Sequence, residues 1–414
     1  MPATSATALV IGGGIIGRTC ALALQRRGWT VTLVDHDATG NAASWGNAGH
    51  IATEQIEPLA SLATLRSAPG NLHIFGGPLD LREPWRHLPW IGAWLRACAP
   101  ARFESGRNAL RCLLAGALPA WRRLASSLGD PGLLQEHGHW MCWESPASTG
   151  RGRESWTTKD IGNARAFDLS ADELAQLHES APAARIQGGI GFDGTAQISD
   201  PALLAKRLAS RFAEYGGTLL RATVRRLDRE GRRVHVVTST GEVFDADQIV
   251  VCAGVASRPL MESIGVHAPL IAERGYHLQW TQHGWPEIPP VVFEDRSIIV
   301  TRFSGGLRVA GCVEYARPDA PPDPGKWARL ARHASELALP VQGQPSRWFG
   351  ARPTLPDYLP ALGCCKQFDN LAYAFGHQHL GLTLAAISGE LVADACSQRD
   401  VAISLAPFDL RRFS

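Results

Sequence analysis

The pattern of apolar and polar positions organises this chain from its first residues. Ala8 to Ile11 is an apolar run of strand length, Ile16 to Gln25 carries helical periodicity, and Thr30 to Val34 is a second apolar strand ending at Asp35. Strand, helix and strand in that order predict a parallel β-α-β unit.

Between Trp85 and Trp156 the texture changes to tryptophan-rich helix. Trp85, Leu88, Ile91, Trp94, Leu95 and Cys98 fall roughly on one helical face, and Leu113, Leu118, Trp121 and Leu124 follow. This predicts a separate helical layer packed on the protein itself, although interleaved tryptophan and arginine also suit a helix lying on a membrane surface. Further along, Asp200 as N-cap, Pro201 at the first helical position and Gly216-Gly217 at the end bound another helix. Thr223 to Asp228 and Arg233 to Thr238 read as a hairpin turning at Gly231. Glu242 to Phe244 and the buried strand Ile249 to Cys252 come next, the latter running into Ala253-Gly254.

From Pro269 to about Pro345 the strand-like pieces Tyr276 to Trp280, Val291 to Glu294, Ile298 to Phe303 and Gly306 to Gly311 predict an antiparallel sheet. A strand at Leu371 to Phe375 and a helix from near Thr383 to about Cys396 close the chain. No repeat, low-complexity tract or long linker interrupts it.

The first unit carries chemistry as well as architecture. Gly12, Gly14 and Gly17 stand in G-x-G-x-x-G spacing between strand and helix. Gly12 makes the tight turn, Gly14 lets backbone approach a pyrophosphate, and Gly17 lets helix and strand pack closely. The helix N-terminus then offers free N–H groups to the anion, and Asp35 can accept hydrogen bonds from ribose hydroxyls. An ADP-containing cofactor follows, with NAD and FAD both open on these residues alone.

Composition narrows the class. The 414 residues, 45% hydrophobic, can bury a large core, and that length suggests two or three domains. A charge of +2 from 41 basic and 39 acidic residues gives no footprint for nucleic acid, and the arginine-rich stretch Arg221 to Arg233 reads as a solvated strand and turn. Nine cysteines without a C-x-x-C pair, including vicinal Cys364 and Cys365, fit reduced thiols rather than zinc or iron–sulfur ligation. No apolar run reaches the roughly 18 residues that span a bilayer. With the glycine fingerprint within a dozen residues of Met1, no signal peptide and a cytoplasmic location are expected.

The fingerprint, SWGNAGHIA at Ser44 to Ala52, IVVCAGVAS, GARPTLPDYLPALG at Gly350 to Gly363 and GHQHLGLTLA together resemble the FAD-dependent D-amino-acid oxidase and dehydrogenase family. The similarity runs through most of the chain in the family's order. It is closest to bacterial D-amino-acid dehydrogenases, and the RGYHL and GHQHLGLT wording is similar to cis-4-hydroxy-D-proline dehydrogenases.

The resemblance implies an α/β chain, α+β overall, in which a Rossmann-like FAD-binding domain is interleaved with an antiparallel-sheet substrate domain carrying helical insertions. Residues 1–84, 185–268 and 345–414 would form the first, and 85–184 and 269–344 the second. Gly12, Gly14, Ile15, Ile16, Gly17, Asp35 and His36 would hold the adenosine diphosphate. Ser44, Asn47, Ala48, Gly49, His50 and Ile51 would pass the pyrophosphate and flavin ring, Val224 would meet the adenine, and Ala253-Gly254 would make a second close approach. Gly376, His379, Leu380, Gly381, Leu382 and Thr383 would lie under the flavin pyrimidine, where a helix N-terminus stabilises negative charge on the reduced ring.

Three residues are expected to carry the chemistry. Arg352, in a G-x-R-P context, would grip the substrate carboxylate with its planar fork. Tyr276 is the candidate second carboxylate contact, and only one of Tyr276 and His277 should face the flavin if the strand alternates. His379 would line the pocket and offer its carbonyl to the substrate amine. Non-covalent FAD is expected and no metal.

The implied reaction is dehydrogenation of a D-amino or cyclic imino acid, with cis-4-hydroxy-D-proline or D-proline the leading substrates. Electrons would pass to a quinone or an electron-transfer protein, and peripheral attachment to the inner membrane face is an alternative location. A glycine- or sarcosine-type amine oxidase and a flavin electron-transfer subunit of a larger complex are the competing functions.

Overall fold

A computed structural model describes residues 6–37, 42–71 and 79–414. Two sheets dominate it. The first has six strands in the order Thr218–Arg221, Thr30–Asp35, Thr7–Ile11, Gln248–Val251, Leu371–Phe375 and Ala361–Cys364. The first five run parallel and the last is antiparallel to its neighbour. Val10, Ile249, Val250 and Val251 are fully buried, as expected when helices cover both faces of a parallel sheet.

Helix Ile15–Arg26 connects the first two strands, and the chain then reaches Gln248–Val251 on the other side of Thr7–Ile11. This reversal of strand order leaves a crevice at the carboxyl end of Thr7–Ile11, the place where open α/β sheets bind nucleotides. Helix Gly381–Cys396 packs against Ile15–Arg26 and against the long helix Pro100–Ser127, whose Leu113, Leu118, Trp121 and Leu124 are buried as anticipated.

The second sheet orders Ser346–Thr354, Ile271–Trp280, Gly306–Tyr315, Ile298–Phe303, Val291–Phe293, His139–Trp143, Gly188–Asp193 and Arg165–Asp168, with Leu79–Leu81 pairing Gly306–Tyr315. It is largely antiparallel, as the strand pattern predicts. Gly188–Asp193, Ser346–Thr354 and Leu79–Leu81 were expected to belong with the nucleotide unit, yet all three hydrogen-bond into this sheet. Short strands carry no local signal of their partner, and pairing is decided by register with distant residues.

The tryptophan-rich segment differs from expectation in one respect. Trp85, Leu88 and Leu95 are 64%, 61% and 46% exposed, so much of the apolar face of helix Leu88–Ala97 is uncovered. Trp94 and Cys98 of that face, with Trp90 and Ala97, pack on Ala60 and Tyr358. The nine cysteines are unbridged. No helix of the described residues is long and apolar enough to cross a membrane.

Candidate active site

The glycine turn is shaped as its spacing implies. Gly12 has φ of +106°, and a Cβ there would stand 2.5 Å from the Cys252 carbonyl oxygen. A Cβ on Gly17 would fall 1.7 Å from the Gly12 carbonyl oxygen, so helix and strand touch only because both are glycine. Asp35 ends its strand against Gly13, where a side chain would collide with the carboxylate at 2.3 Å. The helix beginning at Ile15 has no acidic residue in its first turn, and Ser44 Oγ accepts the Ile15 N–H at 2.9 Å. Ser44 thereby brings the next predicted segment to the anion-binding helix end. Gly254, φ +58°, has open space over its α-carbon at the neighbouring strand end. Val224 packs on the cluster containing Ile11, Val34 and Ala253, whereas the His36 side chain is 71% exposed beside Asp35.

The segment from Ser44 to Ile51 crosses from this crevice to the second sheet. His277 Nδ1 lies 2.9 Å from the Gly46 carbonyl oxygen, and the buried Arg308 donates to the carbonyls of Trp45 and Asn47. Trp348 stacks on His277 at 5.0 Å between ring centres and fills the space over Gly46 and Gly350. At the far end, the Ala52 N–H donates to Thr383 Oγ1 at 2.9 Å, and Trp121 Nε1 donates to the carbonyls of Leu382 and Thr383. The two stretches expected around the flavin ring are thus joined directly. Burial drives His277 down to about 3, with Arg308 adding to it, so its ring is neutral near pH 7.

Cross-strand register explains what stands beside this segment. Glu273 pairs with Arg352, Gly275 with Gly350 and His277 with Trp348, so these six share one face of the sheet. A bulge at Cys312, φ +61°, lets Tyr315 stay opposite Glu273 on the same face. Arg352 Nη1 donates to Glu273 Oε1 at 3.0 Å, and the remaining fork makes no hydrogen bond to the described residues. Gly275 is what lets the guanidinium lie flat, since a Cβ there would sit 2.4 Å from Arg352 Nη2. Glu273 also accepts from Thr354 Oγ1 at 3.2 Å and Tyr315 Oη at 3.4 Å, and the Tyr315 and Tyr358 hydroxyls meet at 2.6 Å.

His379 completes the group. Its Nε2 lies 2.7 Å from Gln55 Oε1, and burial together with the nearby Arg352 charge holds its pKa at about 4 against the opposing pull of Glu273 and Glu54. The ring is neutral. Tyr358 and Gln378 both have left-handed backbone, φ +58° and +44°, and Gln378 Nε2 donates to the Tyr358 carbonyl at 2.8 Å. Two such residues in contact mark a locally strained site held by its surroundings.

Tyr276 is not part of this group. It points to the opposite face, fully buried, donating to Glu314 Oε2 at 2.6 Å and accepting from Arg274 and from the Asp323 N–H. Burial and the Glu314 carboxylate push its phenol up to about 12. Strand alternation is the reason: of the neighbours Tyr276 and His277, the histidine faces the Trp45–Asn47 segment. Glu273, Tyr315, Tyr358 and Gln55 were not anticipated. For Glu273 the only signal is its non-local pairing with Arg352, and for Tyr315 its non-local pairing with Glu273; a phenol in the Tyr358 position does lie within the GARPTLPDYLPALG motif.

These residues fit a flavin dinucleotide. A glycine cradle at a helix end, a terminal Asp35, a second open glycine at Gly254 and a helix start at Gly381 are the features such a cofactor needs. Gly12, Gly14, Gly17 and Asp35 would hold the adenosine diphosphate, and the Ser44–Ile51 and Gly376–Thr383 stretches the ring.

Comparison with known proteins agrees. The chain is 35% identical over 420 residues to a D-amino-acid oxidase of Bradyrhizobium diazoefficiens, covering 98% of both chains. It is 31% identical over 412 residues to D-amino acid dehydrogenase 2 of Pseudomonas aeruginosa, covering 95% of each. Among solved structures, glycine oxidase from Geobacillus kaustophilus superimposes with a TM-score of 0.72 at 21% identity, over 98% of this chain and 99% of that one. Residues 7–395 match the family described as FAD dependent oxidoreductase, and with these relatives the chain belongs to that family of FAD-dependent enzymes.

Proposed function

We propose that the enzyme dehydrogenates a D-amino acid at its Cα–N bond, with cyclic imino acids, cis-4-hydroxy-D-proline and D-proline, as the preferred substrates. The observation that carries this reading is Arg352, held by Glu273 with one fork free, on the face where the Ser44–Ile51 segment runs. A planar, permanently charged fork suits a carboxylate and fixes the direction of the adjoining Cα–H bond. Neutral His379 and its carbonyl suit an amine that must lose its proton before oxidation, and a desolvated pocket favours the neutral amine. When bound, the flavin supplies the hydride acceptor, and the substrate leaves as an imine. Residues Trp90, Tyr315 and Tyr358, with ring centres within 6.3 Å of Trp90, offer an aromatic wall suited to a compact ring. The D-amino-acid specificity named for the Bradyrhizobium and Pseudomonas relatives supports the same substrate class.

Anaerobic mixing of the purified holoenzyme with D- and L-amino acids tests the proposal. Bleaching of the flavin band by D-proline or cis-4-hydroxy-D-proline ahead of D-alanine is expected. No bleaching by any amino acid would overturn the catalytic reading, and preferential bleaching by glycine or sarcosine would favour an amine oxidase.

The electron acceptor we assign is a membrane quinone, reached by peripheral attachment to an anionic bilayer. Leu59, Leu62, Leu65, Trp85, Leu88 and Leu95 are exposed within one stretch of sequence, and Arg86 and Arg96 are exposed among them. Co-sedimentation with anionic but not neutral vesicles is expected, lost in Trp85→Ala/Leu88→Ala. Equal recovery with and without vesicles would refute the attachment.

A further inference from the structure

His50, Glu54 and His139 converge at the end of the Ser44–Ile51 segment. Their ligand atoms all lie within 4.8 Å of one another. The Glu54 side chain is 2% exposed and that of His50 is 11% exposed, while His139 is 2% exposed as a residue. Glu54 Oε2 and both ring nitrogens of His50 are buried without a hydrogen-bond partner. The nearest approach of the pair, His50 Nε2 to Glu54 Oε1, is 3.5 Å.

Neutralisation is the central difficulty of this cluster. A buried carboxylate with an unsatisfied oxygen is costly unless a cation meets it. No lysine or arginine among the described residues pairs with Glu54. His50, the nearest nitrogen-bearing side chain, packs edge-on against His139 at 4.4 Å between ring centres. By contrast, the other acidic group, Asp80, Glu314 and Asp323, is already met by Lys326, Arg82 and Arg274. Those carboxylates need no ion.

Each of the three residues is also held in place. His50 is on a strand paired to Gln197, and His139 is on a strand paired to Phe192, which stacks on its ring at 4.3 Å. Glu54 follows Thr53, whose hydroxyl donates to the Gly194 carbonyl at 2.6 Å. His139 Nδ1 lies 3.0 Å from the fully buried Thr195 hydroxyl. An Nδ1–H donating there leaves Nε2 with its lone pair free, the arrangement that metal-bound histidines use. Two imidazoles and one carboxylate form a donor set of zinc type.

We propose that His50, Glu54 and His139 bind one divalent transition-metal ion, with zinc the best match. Tetrahedral bonds of about 2.0–2.2 Å put ligand atoms roughly 3.4 Å apart, and the His50 Nε2–Glu54 Oε1 separation of 3.5 Å is already close to that spacing. The ion would fasten the Ser44–Ile51 segment to strand His139–Trp143 of the second sheet.

The test uses the FAD-loaded protein, stripped with a chelator and titrated calorimetrically with zinc chloride, with metal content read by mass spectrometry. One zinc per chain is expected, with affinity at least ~100-fold weaker in Glu54→Gln and in His139→Ala, at unchanged flavin absorbance. Cobalt substitution of the unaltered protein provides a readout independent of how the variants fold: tetrahedral visible bands are expected at one equivalent. Absence of stoichiometric zinc together with octahedral, aqueous-type cobalt spectra would overturn the proposal. So would zinc binding that Glu54→Gln leaves intact.

Discussion

Arg352 and Glu273 face one another across adjacent antiparallel strands, 3.0 Å apart, with the carboxylate almost fully buried and the guanidinium partly open. The pair is asymmetric. Glu273 is committed to Arg352, Thr354 and Tyr315, whereas Arg352 keeps donors for a second carboxylate. Replacing Arg352 by lysine retains the charge and removes the fork. The expected result is a loss in kcat/KM of roughly 10–100-fold, carried mainly by KM, at normal FAD content measured from the flavin spectrum. Normal turnover at low substrate would contradict the assignment.

Gly275 isolates the position of Arg352 from its charge. Gly275→Ala places a methyl group where Nη2 now lies, in a strand conformation that alanine tolerates. A KM rise of about 10-fold is expected with folding preserved, since the guanidinium must move rather than the backbone. Unchanged KM would mean that the present placement of the fork is immaterial.

Glu273→Gln removes the charge that orients the fork and weakens three hydrogen bonds at a buried site. Chemical denaturation should register a loss of about 1–3 kcal/mol, accompanied by a higher KM. Stability equal to that of the parent would show that the carboxylate is dispensable.

Buried neutral histidines set the acid limit. His277 and His377 are held at about 3 and His379 at about 4, each chiefly by burial, against an ordinary value near 6.5. Between those values the unfolded chain binds protons that the folded chain refuses. Stability is therefore full above about pH 6.5 and falls as pH drops toward 4. His377, bonded through Nε2 to Ser388, gives the check: His377→Gln should flatten the slope of melting temperature against pH between 6.5 and 4. An unaltered slope would remove His377 from the cause.

The nucleotide half of the fold is legible because its signals are local. Apolar runs, glycine spacing and the Asp200 cap each act within a few residues, and strands Thr7–Ile11 and Thr30–Asp35 and helix Pro201–Glu214 follow them closely. Arg352 is legible through its motif. The remainder of the site depends on pairings the local pattern does not contain: register brings Glu273 to Arg352, and a bulged pairing keeps Tyr315 opposite Glu273. The same alternation that rules that Tyr276 and His277 diverge does not say which one meets the Trp45–Asn47 segment. Helix Leu88–Ala97 shows a similar limit, since a stripe of apolar residues reports a face and not its cover.

The two faces of strand Ile271–Trp280 carry separate responsibilities one residue apart. One bears Glu273, Gly275 and His277. The other bears Arg274 and Tyr276, locked into Arg82, Glu314 and Asp323. Substitutions on the first face can retune what the enzyme accepts while the second keeps the sheet assembled. A single strand thus separates the residues that set selectivity from those that hold the sheet, whereas inserting or deleting one residue within it would exchange the two roles and forfeit both.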